Sequence, residues 1–281
     1  MTPPDVAPLG LIAGCGLLPL EIARSARRRG RRVVAVALNG QTDPALEAEV
    51  AELCWLYPGQ VGRAIETLRA SGVAEAVLAG KVPKLTLDDP AALRPDAEAL
   101  ALLRRLPDRQ DASILSSVAD HLAECGIRLL PQAELVPELV ATAGVYGRVA
   151  PSSGQLAEIA FGWPLAKAVA TLGIGQTLVV RGRAVLAVEA IEGTDAAILR
   201  AGRLAPGACV LKVAKPTQDP RFDLPAIGPE TLAALVEAKA GALAFQAGAT
   251  LVLGRAALTA AADAHGIALL GVAEPPPGGP A

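Results

Sequence analysis

The chain has 281 residues, of which 52% are hydrophobic and 2% aromatic, and its formal net charge at pH 7 is −2. A charge so close to zero argues against nucleic acid as the main partner, because that partner would require a basic face. The length favours two domains of about 100 to 200 residues each. The apolar content is sufficient for proper cores, and no uninterrupted apolar stretch is long enough to span a bilayer.

The cysteines and histidines point to a reduced protein without a zinc site. Cys15, Cys54, Cys125 and Cys209 are far apart and form no Cys-x-x-Cys pair, and the chain has only two histidines. The apolar run from Leu9 to Leu20 follows no basic region, so a signal peptide is not expected. We therefore expect a cytoplasmic protein.

The first predicted elements form a strand–turn–helix–strand unit. A short apolar strand at 9–13 leads into Gly14-Cys-Gly16, Pro19 suits the first turn of a helix, and a second strand covers 32–38. A glycine turn at a helix N-terminus can bind an anion. A dinucleotide site is not expected, because Pro19 replaces the third glycine of the fingerprint and Asn39 stands where an acidic residue would bind a ribose. The two glycines could approach a ligand or simply form a tight turn.

The α/β pattern then continues to about residue 130. Strands are predicted at 53–56, 75–80 and 126–130, and helices at 61–70, 91–106 and 112–124. Lys81 follows a strand and a glycine, where α/β sheets bind ligands, although a solvated surface lysine is the equally simple interpretation. Asp111 is a candidate N-cap of the helix at 112.

The second half begins with an irregular stretch, 131–154, in which we place the domain junction. A helix at 155–172, interrupted near 162–164, and a hairpin at 177–190 follow. Gly193-Thr194-Asp195 precedes the next helix. Thr194 or Asp195 could cap that helix, and the same three residues could hold a phosphate or a ribose hydroxyl.

The stretch from Cys209 to Thr231 is a strand followed by a proline-stiffened loop and a helix start. The loop is rich in polar and charged residues: Lys212, Lys215, Gln218, Asp219, Arg221 and Asp223. Such a loop at a strand end suits phosphate and metal chemistry, but it could also be an ordinary solvated loop with Asx turns. A helix at 230–240, a strand at 249–253, a helix at 256–265 and a strand at 267–272 complete the prediction.

Four motifs together resemble the LpxI-type UDP-2,3-diacylglucosamine pyrophosphatases of lipid A biosynthesis. They are Gly14-x-Gly16-x-Leu-Pro19, Ala79-Gly80-Lys81, Glu189-Ala-x-Glu-Gly-Thr-Asp195 and the long block from Lys212 to Thr231. The resemblance implies an N-terminal Rossmann-like α/β domain at 1–133 and a C-terminal mixed-sheet α/β catalytic domain at 134–274. In that family the substrate would lie in the cleft between the domains. Independently of the resemblance, the Pro/Gly-rich composition after Glu274 predicts a flexible tail at 275–281.

The resemblance also implies a Mg²⁺-dependent hydrolase, with Mn²⁺ as an alternative metal, in which water attacks the α-phosphorus of UDP-2,3-diacylglucosamine. The products would be UMP and 2,3-diacylglucosamine 1-phosphate, or lipid X. The family's essential aspartate corresponds to Asp223, which is the candidate catalytic residue and a metal ligand; Asp219 and Asp111 are further candidate ligands. The family often has paired acids where this chain has Gln110-Asp111, so a metal role there rests on Asp111 alone. The candidate substrate-binding residues are Gly14, Gly16, Lys81, Gly193, Thr194, Asp195, Lys212, Lys215, Gln218 and Arg221.

Two alternatives remain open at this point. The chain could hydrolyse another nucleotide sugar, or it could bind a nucleotide sugar without catalysis. Because the expected substrate is amphipathic, we expect transient contact with the inner-membrane surface. A homodimer is a further expectation, and no nucleic-acid partner is expected.

Overall fold

The structure, a computed structural model, describes residues 7–82, 90–106 and 111–273. By contacts the chain divides into unit 1, Met1–Pro137 with Pro220–Asp223, and unit 2, Glu138–Asp219 with Leu224–Ala281. The sequence-based division at 133/134 assigned 220–223 to the C-terminal domain, whereas by contacts this segment groups with unit 1. The predicted flexible tail at 275–281 lies outside the described residues.

Unit 1 is built on a five-stranded parallel sheet of order β3-β2-β1-β4-β5. Its elements in chain order are β1 (Leu9–Ala13), α1 (Leu18–Arg28), β2 (Val33–Leu38), a 3₁₀ helix (Pro44–Glu49), β3 (Glu52–Leu56), α2 (Val61–Ala70), β4 (Glu75–Ala79), α3 (Pro90–Leu93), α4 (Ala97–Arg105), α5 (Asp111–Glu124), β5 (Arg128–Leu129) and α6 (Gln132–Leu135), followed by a 3₁₀ turn at Pro137–Leu139.

The sheet of unit 1 is covered by helices because its central strands are apolar on both faces. All six residues of β2 are buried. Val34 and Val36 pack with Leu68 of α2 and Leu122 of α5 in one core, while α1 contacts β1, β2 and β4. Continuous apolar strands are typical of a parallel sheet buried on both sides. The strand order reverses between β1 and β4, which is the topological switch point of a Rossmann-like sheet.

Unit 2 is built on a six-stranded mixed sheet of order β6-β13-β11-β9-β7-β8, with a small parallel pair, β10-β12, beside it in the fold. Its elements are β6 (Gly144–Tyr146), α7 (Ser153–Thr171), β7 (Thr177–Arg181), β8 (Ala184–Val188), α8 (Thr194–Gly202), β9 (Cys209–Lys212), β10 (Ala226–Ile227), α9 (Pro229–Glu237), β11 (Ala242–Gln246), β12 (Leu251–Val252), α10 (Arg255–Ala264) and β13 (Ala268–Val272).

The two faces of the unit 2 sheet belong to different cores, because successive side chains along β9 point to opposite faces of the sheet. Val210 packs with Ile198 and Leu235 on the side of α8 and α9. Its neighbours Cys209 and Leu211 pack with Trp163 of α7 on the other side. A parallel sheet in unit 1 and a mixed sheet in unit 2 confirm the predicted α/β class with two domains; the predicted substrate position between the domains stays a prediction.

Two predictions were wrong about whether a helix is continuous or interrupted. The helix predicted at 91–106 is divided into α3 and α4, because Pro95 disfavours helical backbone at Arg94. Asp96 then caps α4 by accepting a hydrogen bond from the Ala99 amide. Conversely, α7 runs unbroken through Pro164, which is exposed. A capping box between Ser152 and Gln155 starts that helix.

Other differences concern short elements. α5 begins at Asp111 itself, so this residue lies in the helix and not before it; its side chain is outside the described residues. The stretch 131–154, which lacks periodicity, contains α6 and β6, and strand β11 was not predicted. None of the helices in the described part of the chain has the length and hydropathy to cross a membrane.

Candidate functional site

In unit 1, the turn after β1 and the turn after β4 are hydrogen-bonded to each other. The Cys15 amide donates to the Lys81 carbonyl over 2.8 Å, and the Lys81 amide donates to the Cys15 carbonyl over 3.1 Å. A Cβ atom on Gly14 would lie 2.5 Å from the Lys81 oxygen, and one on Gly80 would lie 2.5 Å from the Cys15 oxygen. The crossing of the two turns therefore requires glycine at both positions.

This crossing lies at the carboxyl ends of β1 and β4, where sheets of this order bind ligands. Gly16 has φ +93° with open space around its α-carbon, and α1 begins two residues later without a side-chain cap. The first-turn amides of α1 therefore have no side-chain acceptor at the N-cap. The side chain of Lys81 is exposed. The structure thus brings together Gly14, Gly16 and Lys81 in an arrangement suited to an anion.

In unit 2, the ammonium group of Lys212 is held at the N-terminus of α8. Lys212 is only 7% exposed, and its Nζ donates to Thr194 Oγ1 over 2.7 Å. Thr194 Oγ1 in turn donates to Glu189 Oε1 over 3.0 Å, and Thr177 Oγ1 lies 3.3 Å from it. A buried ammonium needs such polar compensation. Lys212, Thr194 and Glu189 therefore form one polar chain.

The start of α8 differs from the prediction that Thr194 or Asp195 caps it. The N-cap is Gly193, with φ +85° and no side-chain cap hydrogen bond, because the Thr194 hydroxyl is engaged by Lys212 and Glu189. Asp195 lies in the first turn, where its charge complements the helix dipole. Gly193, Thr194, Asp195 and Lys212 are thus brought together at one helix start.

The turn before α8 is fixed by Glu192. Its carboxylate contacts Arg200 at 2.6 Å and accepts a hydrogen bond from the Ala190 amide over 3.2 Å. Hydrogen bonding to its own backbone amide, followed by the Arg200 contact, lowers the pKa of Glu192. The residue is therefore ionised at neutral pH and stabilises the turn that leads to Gly193.

The beginning of the proline-rich loop is held by two glutamines. Gln218 Oε1 accepts from the Lys215 amide over 2.9 Å, and Gln218 Nε2 donates to Gln176 Oε1 over 3.3 Å. Gln246 Oε1 accepts from the Ala214 amide over 2.8 Å. The predicted binding residue Gln218 therefore shapes the backbone next to Lys215.

Residues Gln176, Glu189 and Gln246 were not among the predicted site residues, and neither was Lys167, whose Nζ donates to Gln246 Oε1 over 3.2 Å. Glu189 begins the motif that ends at Asp195, and that motif was the available signal. Lys167 and Gln246 are remote in sequence from the loop that they hold, and no local pattern singles them out.

The second part of the loop, from 220 to 223, groups with unit 1. The Pro220 carbonyl accepts a hydrogen bond from the Gln132 amide over 3.0 Å, and Phe222 packs against the core that contains Val34 and Leu122. The guanidinium of Arg221 lies 5.5 Å from the centre of the Phe222 ring. Arg221 and Asp223 are therefore anchored on either side of a core residue, whereas Lys212, Lys215, Gln218 and Asp219 group with unit 2.

The candidate metal ligands with described side chains are Asp219 and Asp223. Both are partly buried, and each has an interaction partner. Two carboxylates suit Mg²⁺, because this ion binds one or two carboxylates and completes its coordination with waters and phosphate oxygens. Within residues 7–82, 90–106 and 111–273, no three or more His, Cys, Asp or Glu side chains form a group that could hold a metal.

Comparison with known proteins gives a consistent relationship over nearly the whole chain. Residues 8–139 match the model of the LpxI N-terminal domain, and residues 142–270 match that of the LpxI C-terminal domain. The chain is 34% identical over 282 aligned positions to the UDP-2,3-diacylglucosamine pyrophosphatase LpxI of Caulobacter vibrioides, covering 94% of this chain and 97% of that protein.

The similarity to solved structures is partial, and the TM-scores are low. The UDP-glucose-4-epimerase of Stenotrophomonas maltophila, with bound NAD and formylated UDP-arabinopyranose, aligns with a TM-score of 0.32 and 12% identity over 44% of this chain and 35% of that one. The N5-carboxyaminoimidazole synthetase of Staphylococcus aureus aligns with a TM-score of 0.24 and 16% identity over 62% and 38% of the two chains.

Proposed function

The chain belongs to the LpxI family, and on this premise we propose that it hydrolyses UDP-2,3-diacylglucosamine to UMP and 2,3-diacylglucosamine 1-phosphate. The observation that carries the proposal is the 34% identity to a pyrophosphatase of that name over 94% of this chain. The alignment covers 97% of the relative as well, so it extends over both units of this chain.

In the proposed reaction, a water oxygen attacks the α-phosphorus and the bond to the bridging oxygen breaks. The water oxygen leaves in UMP, and the bridging oxygen leaves with the sugar phosphate. Asp223 orients or deprotonates the water, or holds the metal, and these roles are alternatives within the same proposal. Lys212, Lys215 and Arg221 offset the negative charge that develops on the phosphoryl oxygens.

Mg²⁺, with Mn²⁺ as the alternative metal, would be held by Asp223 and Asp219, and Asp111 is a further candidate ligand. When bound, the ion would polarise the phosphoryl oxygens and offset their charge. The crossing of Gly14, Gly16 and Lys81 and the helix start at Gly193, Thr194 and Asp195 would bind the nucleotide diphosphate through backbone amides and the lysine ammonium. Gln218 would act by keeping Lys215 in position.

The test is hydrolysis of purified UDP-2,3-diacylglucosamine in ¹⁸O-labelled water, followed by mass spectrometry. Label in UMP and not in the sugar phosphate is expected. Asp223→Ala is expected to lower kcat by a factor of roughly 10²–10⁴, the usual contribution of an acid–base group. Wild-type UMP release by Asp223→Ala would refute the catalytic role.

The same assay separates the alternatives. Faster hydrolysis of UDP-N-acetylglucosamine than of the diacyl substrate would favour another nucleotide-sugar pyrophosphatase. Tight binding of UDP ligands without product in Mg²⁺ or Mn²⁺ would favour a binding protein. Sedimentation with lipid vesicles and light scattering would test the proposed membrane-surface contact and homodimer.

A further inference from the structure

An open cavity of about 540 Å³ lies in unit 1, on the same side of the sheet as the crossed turns after β1 and β4. It is lined by Asn39, Gly40, Thr42, Pro44 and Trp55. Asn39 and Gly40 follow directly after β2, and Trp55 is the penultimate residue of β3. The cavity therefore lies at the carboxyl ends of two neighbouring parallel strands, at the edge of the sheet where such folds bind ligands.

Trp55 is the unusual member of this cavity. The chain has two tryptophans, and Trp163 is 3% exposed in the core of unit 2, whereas Trp55 is 36% exposed. An open indole ring forgoes the burial that aromatic side chains normally contribute. In a protein with so few aromatic residues, an indole at a cavity provides a flat apolar face on which a planar ring can stack.

The polar wall of the cavity is fixed in place. Thr42 Oγ1 accepts a hydrogen bond from the Leu38 amide over 2.8 Å and donates to the Ala13 carbonyl at the end of β1. The Asn39 amide donates to the Leu56 carbonyl over 2.8 Å. Within the described part of the chain, the carboxamide of Asn39 makes no hydrogen bond. It can therefore donate to and accept from a ligand.

The position of the cavity relates it to the glycine turn after β1. Adjacent strands are about 5 Å apart, so the end of β3 lies about 10 Å from the end of β1. A nucleotide with its phosphate at Gly14–Gly16 would lay its ribose over the end of β2 and its base over β3. In doubly wound folds the residue at the end of β2 contacts the ribose; here that residue is Asn39.

We propose that this cavity binds the uridine half of the substrate, with the uracil stacked on Trp55 and the ribose hydrogen-bonded to Asn39. The inference deepens the proposed function and rests on it for the identity of the nucleotide. It assigns nucleoside recognition to unit 1, through residues outside the four motifs on which the family resemblance depends.

The test is titration of the full chain with UMP, followed by tryptophan fluorescence and calorimetry. Saturable quenching of tryptophan fluorescence is expected in the wild type and is lost in Trp55→Phe, which lacks the indole. Because Trp55→Phe keeps an aromatic face for stacking, its Kd for UMP should stay within about two-fold of the wild-type value. Trp55→Ala is expected to bind UMP roughly 10-fold more weakly, as removal of one base–aromatic stack usually causes. Leu100→Ala, at an exposed apolar residue outside the cavity, is the matched control and quenches normally.

Three results would overturn the inference: no quenching in the wild type, quenching that persists in Trp55→Phe, or unchanged UMP affinity in Trp55→Ala. Inorganic phosphate, which lacks the base, should bind the wild type and Trp55→Ala equally. Trp55→Phe remains informative if Trp55→Ala does not fold. Failure of the proposed function is distinguishable, because a wild type that binds UMP at Trp55 but releases none from the diacyl substrate contradicts the hydrolase and supports the cavity.

Discussion

The hydroxyl of Thr194 connects the buried ammonium of Lys212 to Glu189. Thr194 Oγ1 accepts from Lys212 Nζ and donates to Glu189, so both contacts disappear if the oxygen is removed. Thr194→Val keeps the shape of the side chain and should lower the free energy of unfolding by about 1–3 kcal/mol, because it removes two hydrogen bonds in a partly buried polar chain.

The same variant should lower kcat for UMP release, since Lys212 loses its orientation. Thr194→Ser keeps the hydroxyl and serves as the control for urea unfolding and turnover. If Thr194→Val and Thr194→Ser have equal kcat, Thr194 has no positioning role.

Cys209 should be chemically inert in the folded protein. Burial, and next its contact with Glu158, raise the pKa of the Cys209 thiol to about 12. Because only the thiolate reacts, the folded protein at about pH 8 should leave Cys209 unmodified by iodoacetamide, and the unfolded protein should be alkylated there. Peptide mass spectrometry measures both states. Equal rates of alkylation at Cys209 in the two states would contradict the prediction.

At the scale of elements, the crossed turns of unit 1 leave no space for side chains. Gly80→Ala combines a positive φ of +86° with a collision against the Cys15 carbonyl, whereas Gly72→Ala at φ +75° meets nothing within 4 Å. We expect a loss of about 1–2 kcal/mol for Gly72→Ala and about 3 kcal/mol or more for Gly80→Ala, measured by urea unfolding. Equal losses would mean that the crossing relaxes easily.

Asp263 of α10 connects its helix to the chain after β6. Its carboxylate accepts hydrogen bonds from the amides of Arg148 over 2.7 Å and Val149 over 3.1 Å. The Arg148 amide, and to a lesser degree the Val149 amide, lower the pKa of Asp263 below its usual value of 3.8. The ionised Asp263 therefore stabilises the fold at pH values above its unfolded-state pKa. This stabilisation is lost as the pH falls through the lower folded-state pKa.

Asp263→Ala should therefore be less stable than the wild type at neutral pH, and the difference should shrink as the pH falls below about 4. Urea unfolding of both proteins between about pH 3 and 7, which spans the titration of an aspartate carboxyl group, measures the difference. A difference that is constant across this range would assign the effect to packing and not to charge.

Most regular elements could be predicted from sequence because their periodicity is local. Strand β2, helix α2 and the hairpin of β7 and β8 follow from apolar runs and turn residues. The continuity of α7 could not be predicted, because it depends on which side of the helix Pro164 faces. Trp163 packs into the core, and the neighbouring proline ring is directed to the exposed side, where a missing amide costs least.

At the scale of the whole molecule, the core of unit 1 includes contacts with a residue from the C-terminal half of the sequence. Phe222 packs against the core of unit 1. Phe222→Ala should lower stability by about 2 kcal/mol, less than for a fully buried phenylalanine, and should accelerate hydrogen exchange in the strands of unit 1. Phe161→Ala, at a partly buried phenylalanine in a core of unit 2, is the matched control and should affect unit 2 instead. Faster exchange only in unit 2 after Phe222→Ala would contradict the assignment.

The motifs identified candidate site residues, but not the distant residues whose hydrogen bonds hold their loops. The residues at 14–16, 80–81, 193–195 and 212–223 could be identified because they are contiguous and unusual in type. The contacts of Gln246 with Ala214 and of Gln132 with Pro220 join positions far apart in sequence, so only the folded chain reveals them. The exposure of Trp55 is likewise a property of the packed sheet.

The grouping of 220–223 with unit 1 has a consequence for synthesis on the ribosome. Unit 1 can form its parallel sheet once Pro137 has emerged, but its core stays incomplete until the chain has been extended to Asp223. At about 5–20 residues per second, translation leaves that core without the Phe222 ring for several seconds. The nascent chain would therefore complete its first domain only after Glu138–Asp219 of the second domain has been synthesised. The N-terminal core would be completed at the same time as the candidate catalytic aspartate is added to the chain.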